Sequence, residues 1–245
     1  MARSVIILSL CLFSMLNGFS QEKPPQIVDF HFKIFGIGKD NFQGLYYFTD
    51  GSPVALKFHK TYRSKNLYHY IGSEFFIIYV KNEQYNPKDP LSNEYIAIDQ
   101  IQLGSPAKRS LLVFCASEKN RDGIDTERKF NILAIDDSLD HFSRNTIIIL
   151  NTTSATLTGK VAKTRLSLPT GASDPISYET STGSKKGTPI VFALETDNGP
   201  KLVMSNDIKL PNDRRILMIL EQPRRKGSLR LSARILSESI FEQVQ

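Results

Sequence analysis

"VDFHFKIF", residues 28–35, carries the alternation on which the fold reading rests. Val28, Phe30, Phe32 and Ile34 fall on one side of an extended chain, and Asp29, His31 and Lys33 on the other. A period of two is the pattern of a half-buried β-strand, whereas helical apolar positions recur every three to four residues.

The same grammar runs outward along the chain. "VALKFH" (54–59) places Val54, Leu56 and Phe58 together, and the Asp-Gly in "TDGSP" (49–53) is a hairpin turn joining it to the "LYYF" strand. Further runs predicting strands are "EFFIIYV" (74–80), "EYIAIDQIQL" (94–103), "SLLVFCA" (110–116) and "KFNILAI" (129–135). The second half continues with "NTIIILNT" (145–152), "ATLTGKVA" (155–162), "TRLSL" (164–168), "TPIVFALE" (188–195), "KLVMSNDIKL" (201–210), "RRILMILEQ" (214–222) and "SLRLSARIL" (228–236). "DNGP" (197–200) and "RRKG" (224–227) read as hairpin loops. The polar stretches 82–94 and 171–187 read as surface loops, the second being low in apolar residues. No window shows a helical stripe.

Many short strands with regular turn signals predict an all-β, mostly antiparallel protein of two tandem Ig-like β-sandwich domains. The division falls near residue 136, giving an N-terminal sandwich over 21–135 and a C-terminal one over 136–245. The alternative is one larger jelly-roll-like sandwich.

The first twenty residues read as a secretory signal peptide. Arg3 precedes an apolar run from Val5 to Leu16, and Gly18 and Ser20 supply small residues for a cut after Ser20. The apolar run is shorter than the roughly 20 residues that span a bilayer, and no later segment approaches that length. A secreted or periplasmic location follows as an expectation. Cys11 follows Leu10 rather than the small residue a lipoprotein site needs, and it leaves with the signal. Cys115 stands alone in an apolar strand, which reads as a small core residue rather than a nucleophile. With no disulfide framework, the fold must rest on its hydrophobic core.

The most chemistry-like stretch is "AIDDSLDHF" (134–142). Asp136, Asp137 and Asp140 are candidate metal ligands. Their spacing lacks the alternation, the central Gly and the distal Glu of an EF-hand loop, and a zinc site needs further His or Cys. The simpler reading makes Asp137 the cap of a short turn over residues 138–141, with Leu139 or Phe142 dropping into the core. "GIGKDNFQG" (36–44) lacks P-loop spacing and reads as a turn. Among the histidines, no pair has the i, i+2 or i, i+4 spacing that would set two imidazoles on one metal, and His59 and His69 have a separation that suits a meeting across a hairpin. No nucleophile elbow is present, and no cofactor is expected.

The strongest binding candidate is basic. Loss of the signal takes Arg3 and no acid, lowering the net charge from +6 to +5. Residues 209–234 hold eight cations against Asp213 and Glu221. Arg224, Arg225 and Lys226 share one loop, and Arg230 and Arg234 are read as facing outward on the last strand. Such a surface suits an acidic envelope component: protein, glycan or lipid head group. The plainer reading is a solvated edge that resists aggregation. Nucleic acid is not expected, because aromatic interleaving for base stacking is missing. Eight tyrosines between 46 and 95 raise a carbohydrate-binding alternative, although Tyr is an ordinary strand residue and Trp is absent. "NTT" at Asn151 is a glycosylation sequon in form.

The segment "NILAIDDSLDHFSRNTIIILNTTSATLTGKV" (131–161), with "RLSLPTG" (165–171) and "ILMILEQPRRKGSLRLSARIL" (216–236), resembles a group of uncharacterised secreted or periplasmic bacterial proteins with two tandem β-sandwich domains. The resemblance implies the architecture and carries over no catalytic residue. The expected function is that of an exported, non-catalytic, envelope-associated binding or scaffolding protein. The alternative is a carbohydrate-binding module or a glycan-active enzyme, whose two carboxylates would have to converge in a cleft.

Overall fold

A computed structural model describes residues 26–37, 42–103, 106–116, 130–179, 187–223, 225 and 227–239. Residues 1–20, read above as a signal, residues 38–41 of the glycine turn, Arg224 and Lys226 lie outside the described residues.

The chain is all-β. The first half forms β1 (Ile27–Ile37), β2 (Leu45–Thr49), β3 (Ser52–Ala55), β4 (Tyr68–Ser73), β5 (Phe75–Lys81), β6 (Tyr95–Gln102), β7 (Arg109–Ala116) and β8 (Phe130–Asp136). The second half forms β9 (Thr146–Asn151), β10 (Leu157–Val161), β11 (Thr164–Leu168), β12 (Gly171–Ala172), β13 (Ile176–Ser177), β14 (Thr188–Leu194), β15 (Lys201–Ile208), β16 (Arg214–Glu221) and β17 (Ser232–Ser239). The β2–β3 hairpin turns at Asp50 and Gly51, both at positive φ (48° and 71°), as a two-residue turn matched to strand twist requires.

One plan is used twice. The first half pairs as β4-β1-β7-β8 and β3-β2-β5-β6. The second pairs as β12-β9-β16-β17, with β13 also on β9, and as β11-β10-β14-β15. Among the described strands, each half has one parallel pair, β1 with β7 and β9 with β16, while the other pairs are antiparallel. The register irregularity also recurs, between Ile78 and Tyr79 in β5–β6 and between Phe192 and Ala193 in β14–β15. This refines the Ig-like expectation: each sandwich has four strand positions per sheet, rather than the four-plus-three of a constant-type domain.

The four sheets stack as four layers. Val28, Phe30, Phe32 and Ile34 of β1 meet Tyr47, Phe76 and Ile78 of the outer sheet in one core. Ile147, Ile149, Ile216 and Met218 meet Leu157, Phe192 and Met204 in a second. A third lies between the two inner sheets, where Phe35, Leu111, Val113 and Ile135 meet Ile148, Leu150, Leu217, Ile219 and Leu236. The inner strands therefore bury both faces. This is why "IIIL" (147–150) and "ILMIL" (216–220) are unbroken apolar runs while β1 alternates over most of its length.

The reading of 171–187 as a surface loop is corrected for its first half. β12 and β13 add to the edge of β9, Ser173 accepts the Ile149 N–H at 2.9 Å, and Tyr178 is buried with its hydroxyl donating to Pro211 and Arg214 carbonyls. A few well-placed contacts anchor a segment of polar composition.

Candidate functional site at the seam between the sandwiches

Asp137 follows β8 directly. Its N–H donates to the Arg109 carbonyl, extending the β7–β8 ladder by one pair and turning its side chain into the seam. Arg215, the second residue of β16, sits opposite Glu238 of β17. Arg109–Asp137 and Arg215–Glu238 thus occupy equivalent ladder positions in the two halves.

The two pairs interlock. Arg215 is wholly buried. It donates from Nη2 to Asp137 Oδ2 (3.0 Å), from Nη1 to the Asp137 carbonyl (2.9 Å), and from Nε and Nη2 to Glu238 Oε2 (3.1 and 2.6 Å). Arg109 Nε stands 3.7 Å from Asp137 Oδ2. Arg63 enters from the loop before β4, held beside β1 by reciprocal Ser64–Ile34 bonds. Its Nη1 donates to Asp137 Oδ1 (2.6 Å) and to Glu238 Oε2 (2.9 Å). Lys33 completes the set, donating to Glu238 Oε1 at 2.9 Å. The Phe142 ring lies within 5.8 Å of the Arg63 Cζ and 5.1 Å of the Arg215 Cζ, close enough for cation–π attraction.

Taking charges from water costs several kcal/mol per ion, about what good geometry and several hydrogen bonds return. Burial pushes the Glu238 carboxyl up, but Arg63, Arg215 and Lys33 together hold it at about 2 instead of 4.5. Beside this cluster a groove of about 440 Å³ opens, lined by Lys33, Thr61, Tyr62, Arg63, Lys65 and Glu238 among others.

The aspartates of "AIDDSLDHF" do not converge. Asp136, not Asp137, accepts the Ser138 N–H (2.9 Å), because Asp137 is drawn into the seam. Asp140 is exposed. Phe142 drops into the core, while Leu139 stays partly exposed. Among the described residues, no group of three or more His, Cys, Asp or Glu is placed to hold a metal ion.

On the basic surface, Arg225 and Arg230 are exposed, and Arg230 precedes β17. Arg234 is corrected from outward to inward. Its Nη2 lies 3.0 Å from Glu221 Oε1 and its Cζ 5.8 Å from the Phe35 ring centroid. Alternation forces this, since Leu236 and Glu238 on the same strand face also enter the seam.

Elsewhere, His69 meets His31 rather than His59. The two are cross-strand neighbours, stacked at 4.4 Å, with His69 Nε2 2.7 Å from Asp29 Oδ1. Burial, and after it the Glu221 carboxylate, pushes the Cys115 thiol up to about 11. Asn151 of the sequon is fully buried, its amide reaching the carbonyls of Ala155, Leu168 and Pro169. Tyr46, Phe48, Tyr79 and Tyr95 form a half-exposed patch on the outer sheet, packed edge to face.

Sequence reasoning marked Asp137 but assigned it the wrong work, and it singled out neither Arg63 nor Glu238. One signal was available: Arg215 heads a run of five apolar residues, and a charge entering a doubly buried strand demands a partner. Neither Arg63 nor Lys33 carries a local signal. No family model matches the chain, and no curated protein matches it.

Proposed function

We propose that the protein is an exported, non-catalytic binding or scaffolding protein that works at the cell envelope and uses the seam between its sandwiches as its binding surface. The observation that carries this reading is the groove, lined by Lys33, Arg63 and Lys65, that opens beside the buried ion cluster. A site set between two packed sandwiches is held by rigid strands rather than by loops alone, so its charges are already in place before a ligand arrives. The signal-like residues 1–20 support export.

The partner is an acidic envelope component, met by the groove and by the exposed Arg225 and Arg230. The test is capture of the tagged mature chain's partner from envelope extracts over a salt series. Capture should weaken steeply as salt rises, and should fall further with Lys65→Glu or Arg225→Glu. Salt-independent capture would sink the charged-surface reading.

A second reading, a carbohydrate-binding module, is favoured by the aromatic patch of Tyr46, Phe48, Tyr79 and Tyr95. Edge-to-face packing presents ring edges more than flat faces. Binding to neutral sugars on a glycan array, lost in Tyr95→Ala, would establish this reading in place of the first.

A further inference from the structure

Among the described residues, the seam cluster is not electrically closed. Four cations (Lys33, Arg63, Arg109 and Arg215) share two carboxylates, Asp137 and Glu238. Buried charges in folded proteins are paired, because an unpaired one keeps its desolvation cost without return. The excess is positive, and it lies where Arg63 and Lys33 line the groove.

Arg63 points the same way. Its side chain is only 6% exposed. Nη1 serves both carboxylates, but among the described residues Nε and Nη2 are buried with no hydrogen-bond partner. Those two nitrogens form one side of the guanidinium fork, the edge that takes both oxygens of a carboxylate or phosphate at once. Leaving such donors buried and unmet costs as much as losing a hydrogen bond outright, so a polar group facing them is strongly favoured. Lys65 adds an exposed charge at the rim, and Tyr62 and Ile235, both partly exposed, supply apolar wall. The groove's volume of about 440 Å³ lies within the usual range of small-molecule sites.

We infer that this groove binds a small organic anion whose carboxylate or phosphate group pairs with Arg63, a small shift of that side chain bringing its buried Nε–Nη2 edge to the groove, with Lys33 and Lys65 completing the charge. This deepens the binding-protein reading and rests on it. Bound anion would neutralise part of the seam's excess charge, so ligand binding and the hold between the sandwiches would strengthen together.

The test is calorimetric titration of the full mature chain with inorganic phosphate, a sugar phosphate and glucuronate, each at low and at moderate salt. Saturable binding of at least one probe is expected, together with a rise in melting temperature. A preference among the three separates phosphate from carboxylate ligands. Arg63→Lys keeps the charge but loses the fork, and should weaken binding by about tenfold or more. Lys65→Glu, an exposed change that spares the core, should also weaken it, and Lys88→Glu, at an exposed position between β5 and β6 that does not line the groove, should not. No saturable binding of any probe up to ~10 mM, or equal binding by the wild type, Arg63→Lys and Lys65→Glu, would overturn the inference. Should Arg63→Lys fail to fold, Lys65→Glu against Lys88→Glu decides alone. If the titrations fail while salt-sensitive envelope capture persists, the binding-protein reading stands and only the groove's ligand class is lost.

Discussion

Arg215 and Asp137, one from each sandwich, meet twice: Nη2 donates to Oδ2 at 3.0 Å and Nη1 to the backbone carbonyl at 2.9 Å. The contact joins the head of β16 to the end of β8. It makes the orientation of the two halves depend on a buried ion pair as well as on apolar packing.

Removing Asp137 should therefore be costly. Asp137→Ala strands Arg215 and Arg63 beside a single remaining carboxylate, and loss of one partner of a buried pair costs about 3–5 kcal/mol. Urea unfolding should show the loss as a lower midpoint. Asp140→Ala, at an exposed position in the same turn, should stay within about 0.5 kcal/mol of wild type. Equal effects from the two would refute the seam role.

Acid should loosen the protein through Glu238. Its folded value of about 2 lies below the ordinary 4.5, so the unfolded chain takes up the proton first. The stabilisation is complete above about 4.5 and is lost as pH falls from there through about 2. At most about 3 kcal/mol is at stake, from the size of that shift. Denaturant midpoints measured across this window should fall less in Glu238→Gln than in wild type.

Asn151 should carry no glycan even when the chain is secreted from a eukaryotic host, because the residue is fully buried and its amide donates to the carbonyls of Ala155, Leu168 and Pro169. Intact mass spectrometry checks this. Asn151→Ala should destabilise by about 2–3 kcal/mol, since the carbonyls it serves would lose their donor.

Cys115 should resist alkylation at pH 8 in the folded protein and react readily once unfolded. A thiol held at about 11 has almost no thiolate at that pH. Rapid native-state labelling by iodoacetamide would contradict the placement of Cys115 beside the seam core.

Phe142→Ala should cost about 3–5 kcal/mol as a large buried ring is lost. It removes the surface beneath two guanidiniums as well as core volume. Phe142→Leu should recover most of the packing but not the cation–π share, and thermal unfolding of the two variants separates these contributions.

Strand identity was legible wherever one face is polar. Val28 to Ile34 alternate because one side of β1 meets a core while Asp29 and His31 do not. The Asp-Gly turn was legible because few residues accept positive φ at two successive positions. β4 was harder, since "YHYIGS" mixes aromatic, polar and glycine positions. β12 and β13 were harder still, because strands of two residues carry no period at all.

The sequence by itself determined the class of structure, because alternation and turn chemistry act between residues a few positions apart. It also held the mark of the inner layers, in the unbroken apolar runs of β9 and β16. Only the tertiary structure decided what those runs face, and that Arg63, Asp137, Arg215 and Glu238 share one site. These residues lie up to 175 positions apart. Their association is set by the stacking of two sandwiches, and electrostatic pairing at the seam depends on distance in space, which no local pattern encodes.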